Sequence, residues 1–275
     1  MKKSHSKNKK LFNANAAARP ATATAHEYRL NFFQATRRPV EKDEIIQTSW
    51  GKIRIKGKLG QAHADVLESI FFCAESKRTF KSRKIILIVD PARVRKTARQ
   101  EQGKTLNDLV FDLVNATVEI YEPKHLAGTG NLISFVDKSS DLTRPNPLSQ
   151  IKDKEKTRTA KRQMWEVEIG PIIKRLWEAD ILTRRDPRPI SALRHGISQA
   201  VARLVITHKE QPSGGWHLDT LIRHVYGDHT ISEQKLWDRR RELRQDAKGL
   251  AGASIIIEDG RIIKKSNLEH KQGKV

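Results

Sequence analysis

One cysteine, Cys73, is all the sequence contains. No internal disulfide can form, and a reducing cytosol is the expected setting. Long apolar runs are missing as well: none approaches the ~20 residues a spanning helix needs. The Lys-rich start of the chain has no apolar segment of the signal-peptide kind, so a cytoplasmic protein without membrane attachment is expected. Acidic residues are in deficit, with 32 Asp and Glu against 53 Lys and Arg, which gives a formal charge of +21 and a pI near 10.2. Such a chain attracts polyanions, nucleic acid above all.

Catalytic signatures are also lacking. Gly103-Lys104-Thr105 has the look of a phosphate-binding loop, but the glycine required five residues earlier is Ala98. The segment before it reads as helix rather than strand, so the amides cannot wrap a triphosphate. No His-x-His occurs for a metal-dependent nickase, which leaves Tyr121 and Tyr226 as packing residues. His217, His224 and His229 cluster without a cysteine, at a spacing that fits no common zinc pattern. Surface or cap roles are expected for them, and core or interface roles for Trp216 and Trp237, with base stacking the alternative. No enzymatic activity, cofactor or metal is expected.

What the chain does carry lies between residues 216 and 265. Leu218, Leu221, Ile222 and Val225 share one helical face, and Gly227 stops that helix. Thr230 and Glu233 have the spacing of a capping box. Leu236, Leu243, Ala247 and Leu250 then mark a second helix with a narrow buried stripe, ending near Gly249. Ser254 to Glu258 and Arg261 to Lys265 flank Asp259-Gly260, the strongest short hairpin signal.

At 100° per residue from Leu236, the outer face of the second helix carries Gln234, Asp238, Arg241 and Gln245. These are the candidate base readers: Arg bonds guanine, Gln bonds adenine and Asp accepts from cytosine. Lys235, Arg239, Arg240 and Arg244 flank that face as candidate phosphate contacts, joined by Arg261, Lys264 and Lys265 of the hairpin. The competing interpretation is a solvated helix laced with ion pairs, because Glu233, Asp238, Glu242 and Asp246 nearly balance the cations.

Upstream, residues 1–26 read as a flexible basic tail and 27–138 as a first domain. That domain is expected to hold a strand near 48–56, a helix lined by Val66, Leu67, Ile70, Phe71 and Ala74, and a buried strand from Lys84 to Val89. Asp90-Pro91 then caps a basic helix whose Arg93, Arg95 and Lys96 can touch phosphates. Thr105 caps a further helix, with Leu106, Leu109, Val110 and Leu113 inward. Its outer Asn107, Asp108, Phe111, Asp112 and Asn115 suit a protein partner better than phosphate, unless Phe111 packs under a loop. Strands at 117–121 and 132–136, joined across a Gly-containing loop, form another candidate wing. Residues 139–163 read as a linker, and 164–265 as a second domain opening with a strand at Trp165, Val167 and Ile169. A short helix at Ile172, Ile173 and Leu176 and a long one from Pro189 to His208 follow, and 266–275 form a loose tail. The expected fold class is α+β: two tandem winged-helix domains, each a helix bundle with a small antiparallel sheet.

Two such units in succession resemble the Rep-type plasmid replication initiators that bind iterons. Gly57 to Val66, Ile190 to Val205 and the helix pair with its hairpin ending at Lys265 carry that resemblance, over roughly residues 30–265. It implies a bacterial plasmid protein that binds double-stranded origin repeats, opens a neighbouring A·T-rich region, and recruits a host replication initiator and replicative helicase. It also implies base reading by the second unit, with backbone contact and homodimerisation by the first. The Asp108/Asp112 face departs from a DNA-reading helix and favours protein contact. The alternatives are a transcriptional repressor or plasmid partition regulator of the same fold, and an RNA-binding, ribosome-associated protein.

Overall fold

The structure, a computed structural model, describes residues 21–80, 82, 84–100, 106–138, 143–145, 161–227 and 231–265. The chain begins with β1 (Ala23–Thr24), α1 (Ala25–Arg29), β2 (Lys42–Thr48), β3 (Gly51–Gly57), α2 (Gln61–Cys73) and β4 (Ser76–Thr79). Next come β5 (Ile85–Val89), α3 (Pro91–Thr97), α4 (Leu106–Asn115), β6 (Thr117–Glu122), β7 (Gly128–Asn131) and β8 (Ile133–Asp137). The middle contains β9 (Thr143–Pro145), β10 (Lys161–Gln163), β11 (Trp165–Ile169), α5 (Pro171–Ala179) and β12 (Leu182–Thr183). The last stretch is α6 (Arg188–Ser191), α7 (Gly196–Ile206), β13 (Trp216–His217), α8 (Leu218–Tyr226), α9 (Glu233–Gln245), α10 (Ala247–Gly252), β14 (Ile255–Glu258) and β15 (Arg261–Lys264). The architecture is mixed α+β, and its strand pairs are antiparallel.

Two hydrophobic cores organise these elements. The first runs from Ala23 to Leu176 and is built on α2, which is buried along nearly its whole length. Two four-stranded sheets enclose it, in the orders β2-β3-β6-β7 and β4-β5-β11-β8. The second core gathers Ala35 with residues from Ile190 to Ile262, under the three-stranded sheet β13-β15-β14.

Several sequence expectations are met locally and redirected globally. Trp165 to Ile169 does form a strand with alternate residues buried. Instead of opening a second unit, however, β11 sits inside the first core's sheet, between β5 and β8. Alternation reveals which face is buried, but not which strands supply the neighbours. Helix α5 follows it there through Ile172, Ile173 and Leu176. The strands at 117–121 and 132–136 do not form a wing with each other. β6 pairs with β3 and β7, whereas β8 pairs with β11 in the other sheet. The expected strand near 48–56 is one arm of a β2–β3 hairpin, and its polar partner Lys42–Thr48 had no apolar pattern to announce it.

The helix expected from Pro189 to His208 is broken into α6 and α7. The Asp246 carboxylate accepts from the amides of Arg194 at 3.1 Å and His195 at 2.9 Å, which holds the turn between the two helices. Gly196 starts α7 where a Cβ would meet the Thr36 backbone at 2.5 Å, so the crossing of these two chains requires glycine. Asp246 also interrupts the C-terminal helix: Ala247 is exposed rather than in the stripe, and α10 continues past Gly249 to Gly252. Residues 21–26 are not tail. Ala23 and Thr24 pair with Thr183 and Leu182, and Ala21, Ala23 and Ala25 are buried. Within the expected linker, β9 and β10 pair with each other. Residues 1–20, Thr105, Thr230, His229 and 266–275 lie outside the described residues.

The cores are joined by buried charge. The Arg203 guanidinium on α7 is fully buried and donates to Asp65 at 2.6 Å, Gln61 at 2.7 Å and Glu68 at 3.2 Å, all on α2. Arg185 and the Tyr28 hydroxyl also donate to Glu68. Burial alone would raise the Glu68 carboxyl, but the charges of Arg185 and Arg203 outweigh it and hold the group below its ordinary range.

Candidate nucleic-acid interface

The helix pair and hairpin expected at 216–265 are present. Leu218, Leu221, Ile222 and Val225 of α8 are buried, and Gly227 ends the helix in the left-handed region at φ 65°. Ser232, not Thr230, caps α9: its hydroxyl accepts from the Lys235 amide at 3.3 Å. The Asp259-Gly260 turn has positive φ at both residues, 46° and 71°, and joins β14 to β15 in register. β15 also pairs with β13, the short strand that leads into α8, so hairpin and helix pair are tied together.

Helix α9 buries only Leu236 and Leu243 among its residues. Most of its circumference therefore faces outward. Gln234, Arg241 and Gln245 are exposed and Asp238 is half-exposed, so the four expected base readers share an accessible face. Asp238 and Arg241 pair with each other at 3.3 Å. An exposed pair of this kind is worth about 0–1 kcal/mol, so a base edge can displace it. Trp237 is not a core aromatic. It is 51% exposed, with the Arg241 guanidinium 5.0 Å from its ring centre.

The flanking cations are placed unequally. Arg244 is exposed and Lys235 lies 4.4 Å from the centre of the Tyr226 ring. Arg239 pairs with Glu242 on its own helix. Arg240 makes two 2.6 Å bonds to Asp219 of α8, holding the Asp219 carboxyl below its usual range through those bonds first and the guanidinium charge besides. That clamp fixes the angle between the two helices and occupies Arg240. In the hairpin, Lys265 is exposed. Lys264 donates to the His208 carbonyl at 2.8 Å, and burial lowers its ammonium pKa. Arg261 reaches the Gly215 carbonyl at 3.4 Å.

The upstream candidates belong to the first core. Arg93 pairs with Glu75 at 3.0 Å, while Arg95 and Lys96 are exposed on the same helix, α3. On α4, Asn107, Asp108, Phe111 and Asn115 are exposed, and Asp112 pairs with the buried His63 at 2.9 Å. Phe111, at 67% exposure, is not covered by a loop among the described residues. His217 is exposed, and no group of three metal-ligating side chains occurs among the described residues. Trp216 packs on the second core and faces His208 at 5.5 Å.

One exposed aromatic enters the sequence reading only through the alternation that marks the strand near 48–56. Trp50, at the β2–β3 turn, is 38% exposed, with Arg29 at 4.3 Å and His208 at 5.7 Å from its ring. The next residue, Gly51, has φ 154°, and a Cβ there would strike the Glu122 carbonyl at 2.2 Å.

Among the described residues no helix is long and apolar enough to cross a membrane. Comparison with protein-family models, with curated proteins and with solved structures finds no match to this chain.

Proposed function

We propose that this chain binds duplex DNA sequence-specifically, with α9 as the reading helix, α8 as its support and the β14–β15 hairpin as a wing. The observation that carries this reading is the sparse burial of α9, which anchors the helix through Leu236 and Leu243 and leaves Gln234, Arg241 and Gln245 outward beside Arg244. A groove-reading helix needs such an edge of bidentate donors flanked by phosphate-binding cations. The net charge of +21 supplies the long-range attraction. On this reading the second core is a winged-helix unit made from α7, α8, α9 and the sheet β13-β15-β14. A first unit around α2 and α4 serves backbone contact or dimerisation, favoured by exposed Phe111 and Phe135.

The resemblance to Rep-type initiators makes origin repeats the proposed target and recruitment of a host initiator and helicase the proposed outcome. Transcriptional repression or plasmid partition is the second reading, because the same reading edge serves an operator equally well. Selection of binding sites from random duplexes, followed by footprinting on the parent replicon, tests both. Direct repeats beside an A·T-rich tract support initiation, whereas an inverted repeat over a promoter supports repression. Arg241→Ala should relax preference at one base position by ~1–3 kcal/mol. Unchanged preferences in that variant would remove α9 from the reading role.

A further inference from the structure

A cleft of about 750 Å³ opens beside α7 and α9. It lies away from the outer edge of α9, where the two cores face each other. Arg37, Arg38 and Lys58 contribute from the first half of the chain, Arg194 from the α6–α7 break and Arg239 from α9. Two of these cations are already engaged, Arg37 with Asp65 at 3.1 Å and Arg239 with Glu242. The Arg38, Lys58 and Arg194 side chains have no ion pair among the described residues, and all three residues are exposed. The one carboxylate in the lining, Glu242, is the partner of Arg239. The cleft thus holds an uncompensated positive charge from sequence positions far apart.

Its floor is different in character. Ala35, Pro39, Ala62 and Leu109 give it an apolar side, and among the described residues no Phe, Tyr or Trp lines it. The amides of Arg194 and His195, just ahead of α7, are taken by Asp246 and are not available to an anion. The His195 Nε2 atom, in the same wall, has no protein hydrogen-bond partner, and such a buried atom needs explaining. A volume of this size suits a small organic ligand and is far too small for a duplex. Guanidinium groups bind carboxylate and phosphate oxygens through charge-assisted, often bidentate bonds, and several separate cations around one cleft suit an anion of multiple charge such as a polyphosphate.

We propose that this cleft binds a nucleoside di- or triphosphate, with Arg38, Lys58 and Arg194 on the phosphates and the apolar floor under the nucleoside. Without an aromatic ring to stack on, the site discriminates weakly among bases. The ligand touches both cores and lies against Arg239 of α9, so its occupancy braces the element proposed to read DNA.

The test is calorimetric titration of the full chain, in the absence of DNA, with ATP, GTP and inorganic triphosphate. ATP and GTP should saturate at about one site per chain with similar affinity, and the inorganic anion should bind more weakly. The double variant Arg38→Ala/Arg194→Ala should lose at least about tenfold in affinity, as expected when bonds to charged groups are removed. An equal loss of charge at Arg175 and Lys209, exposed and outside the cleft, should leave binding unchanged. Equal weakening in the two double variants, or inorganic triphosphate binding as tightly as ATP, would overturn the proposal. So would the absence of saturable nucleotide binding. Because both cleft arginines are exposed, an unchanged thermal midpoint checks that the variant is folded. Duplex binding measured separately keeps a failure here distinct from a failure of the DNA-reading proposal.

Discussion

Arg203 and Asp65 meet at 2.6 Å with both side chains fully buried, and this pair joins α7 of the second core to α2 of the first. Glu68 and Gln61 complete the shell around the guanidinium. Breaking a buried pair costs about 3–5 kcal/mol where the remaining charge is left unpaired; here Asp65 keeps Arg37 and Glu68 keeps Arg185. Arg203→Met should therefore lower the unfolding free energy measured in urea, by less than that amount, while leaving far-ultraviolet dichroism helical. A midpoint equal to wild type would mean that apolar contact alone holds the two cores together.

Glu27 is the other buried charge with a measurable consequence. Burial pushes its carboxyl from 4.5 up to about 8; bonds from Thr24 oppose the shift and the nearby Glu68 charge adds to it. The folded chain therefore keeps a proton that the unfolded chain has lost, and the stability contributed by the protonated group falls as pH rises from 4.5 to about 8. Above that range it stays flat. Glu27→Gln retains an acceptor for Thr24 without the titration, so its unfolding free energy should be the less pH-dependent of the two, with the largest gain over wild type near the upper end. Parallel curves for the two proteins would show that Glu27 does not hold its proton in the folded state.

Arg240 and Arg244 sit four residues apart on α9 and should behave differently. Arg240 is clamped to Asp219, whereas Arg244 is exposed. Arg244→Ala should weaken binding to all duplexes alike and reduce the salt slope by about 1. Arg240→Ala should instead loosen α8 against α9 and show in the thermal midpoint. The salt dependence of binding, measured for both, separates a phosphate contact from a helix clamp.

Asp246 carries two amide bonds at the start of α7 and is 8% exposed. Asp246→Ala leaves those two amides without their acceptor, should cost about 1–3 kcal/mol, and should speed hydrogen exchange at Arg194 and His195. Full protection of those amides in the variant would show that another group holds the α6–α7 turn.

The parts of this fold that were legible in the sequence are those fixed by neighbours along the chain. The stop of α8 at Gly227, the Asp90-Pro91 cap and the Asp259-Gly260 turn depend on backbone preferences that a few residues determine. The outward face of α9 followed from helical periodicity alone. The break between α6 and α7 was not legible, because its cause, Asp246, lies some fifty residues downstream. The cleft was equally hidden. Arg38, Lys58 and Arg194 show no pattern as letters, and they meet Arg239 only when both cores are assembled.

Local chemistry along the chain was thus sufficient to determine which segments coil, which extend, where they stop and which of their sides is dry. Tertiary structure decided the company each segment keeps. β11 carries the same alternation of Trp165, Val167 and Ile169 in any sheet, but its place between β5 and β8 depends on ladders with strands some thirty to eighty residues earlier. Side-chain periodicity encodes burial, while partner choice depends on the closure of long loops and on the shape of a core assembled from distant residues.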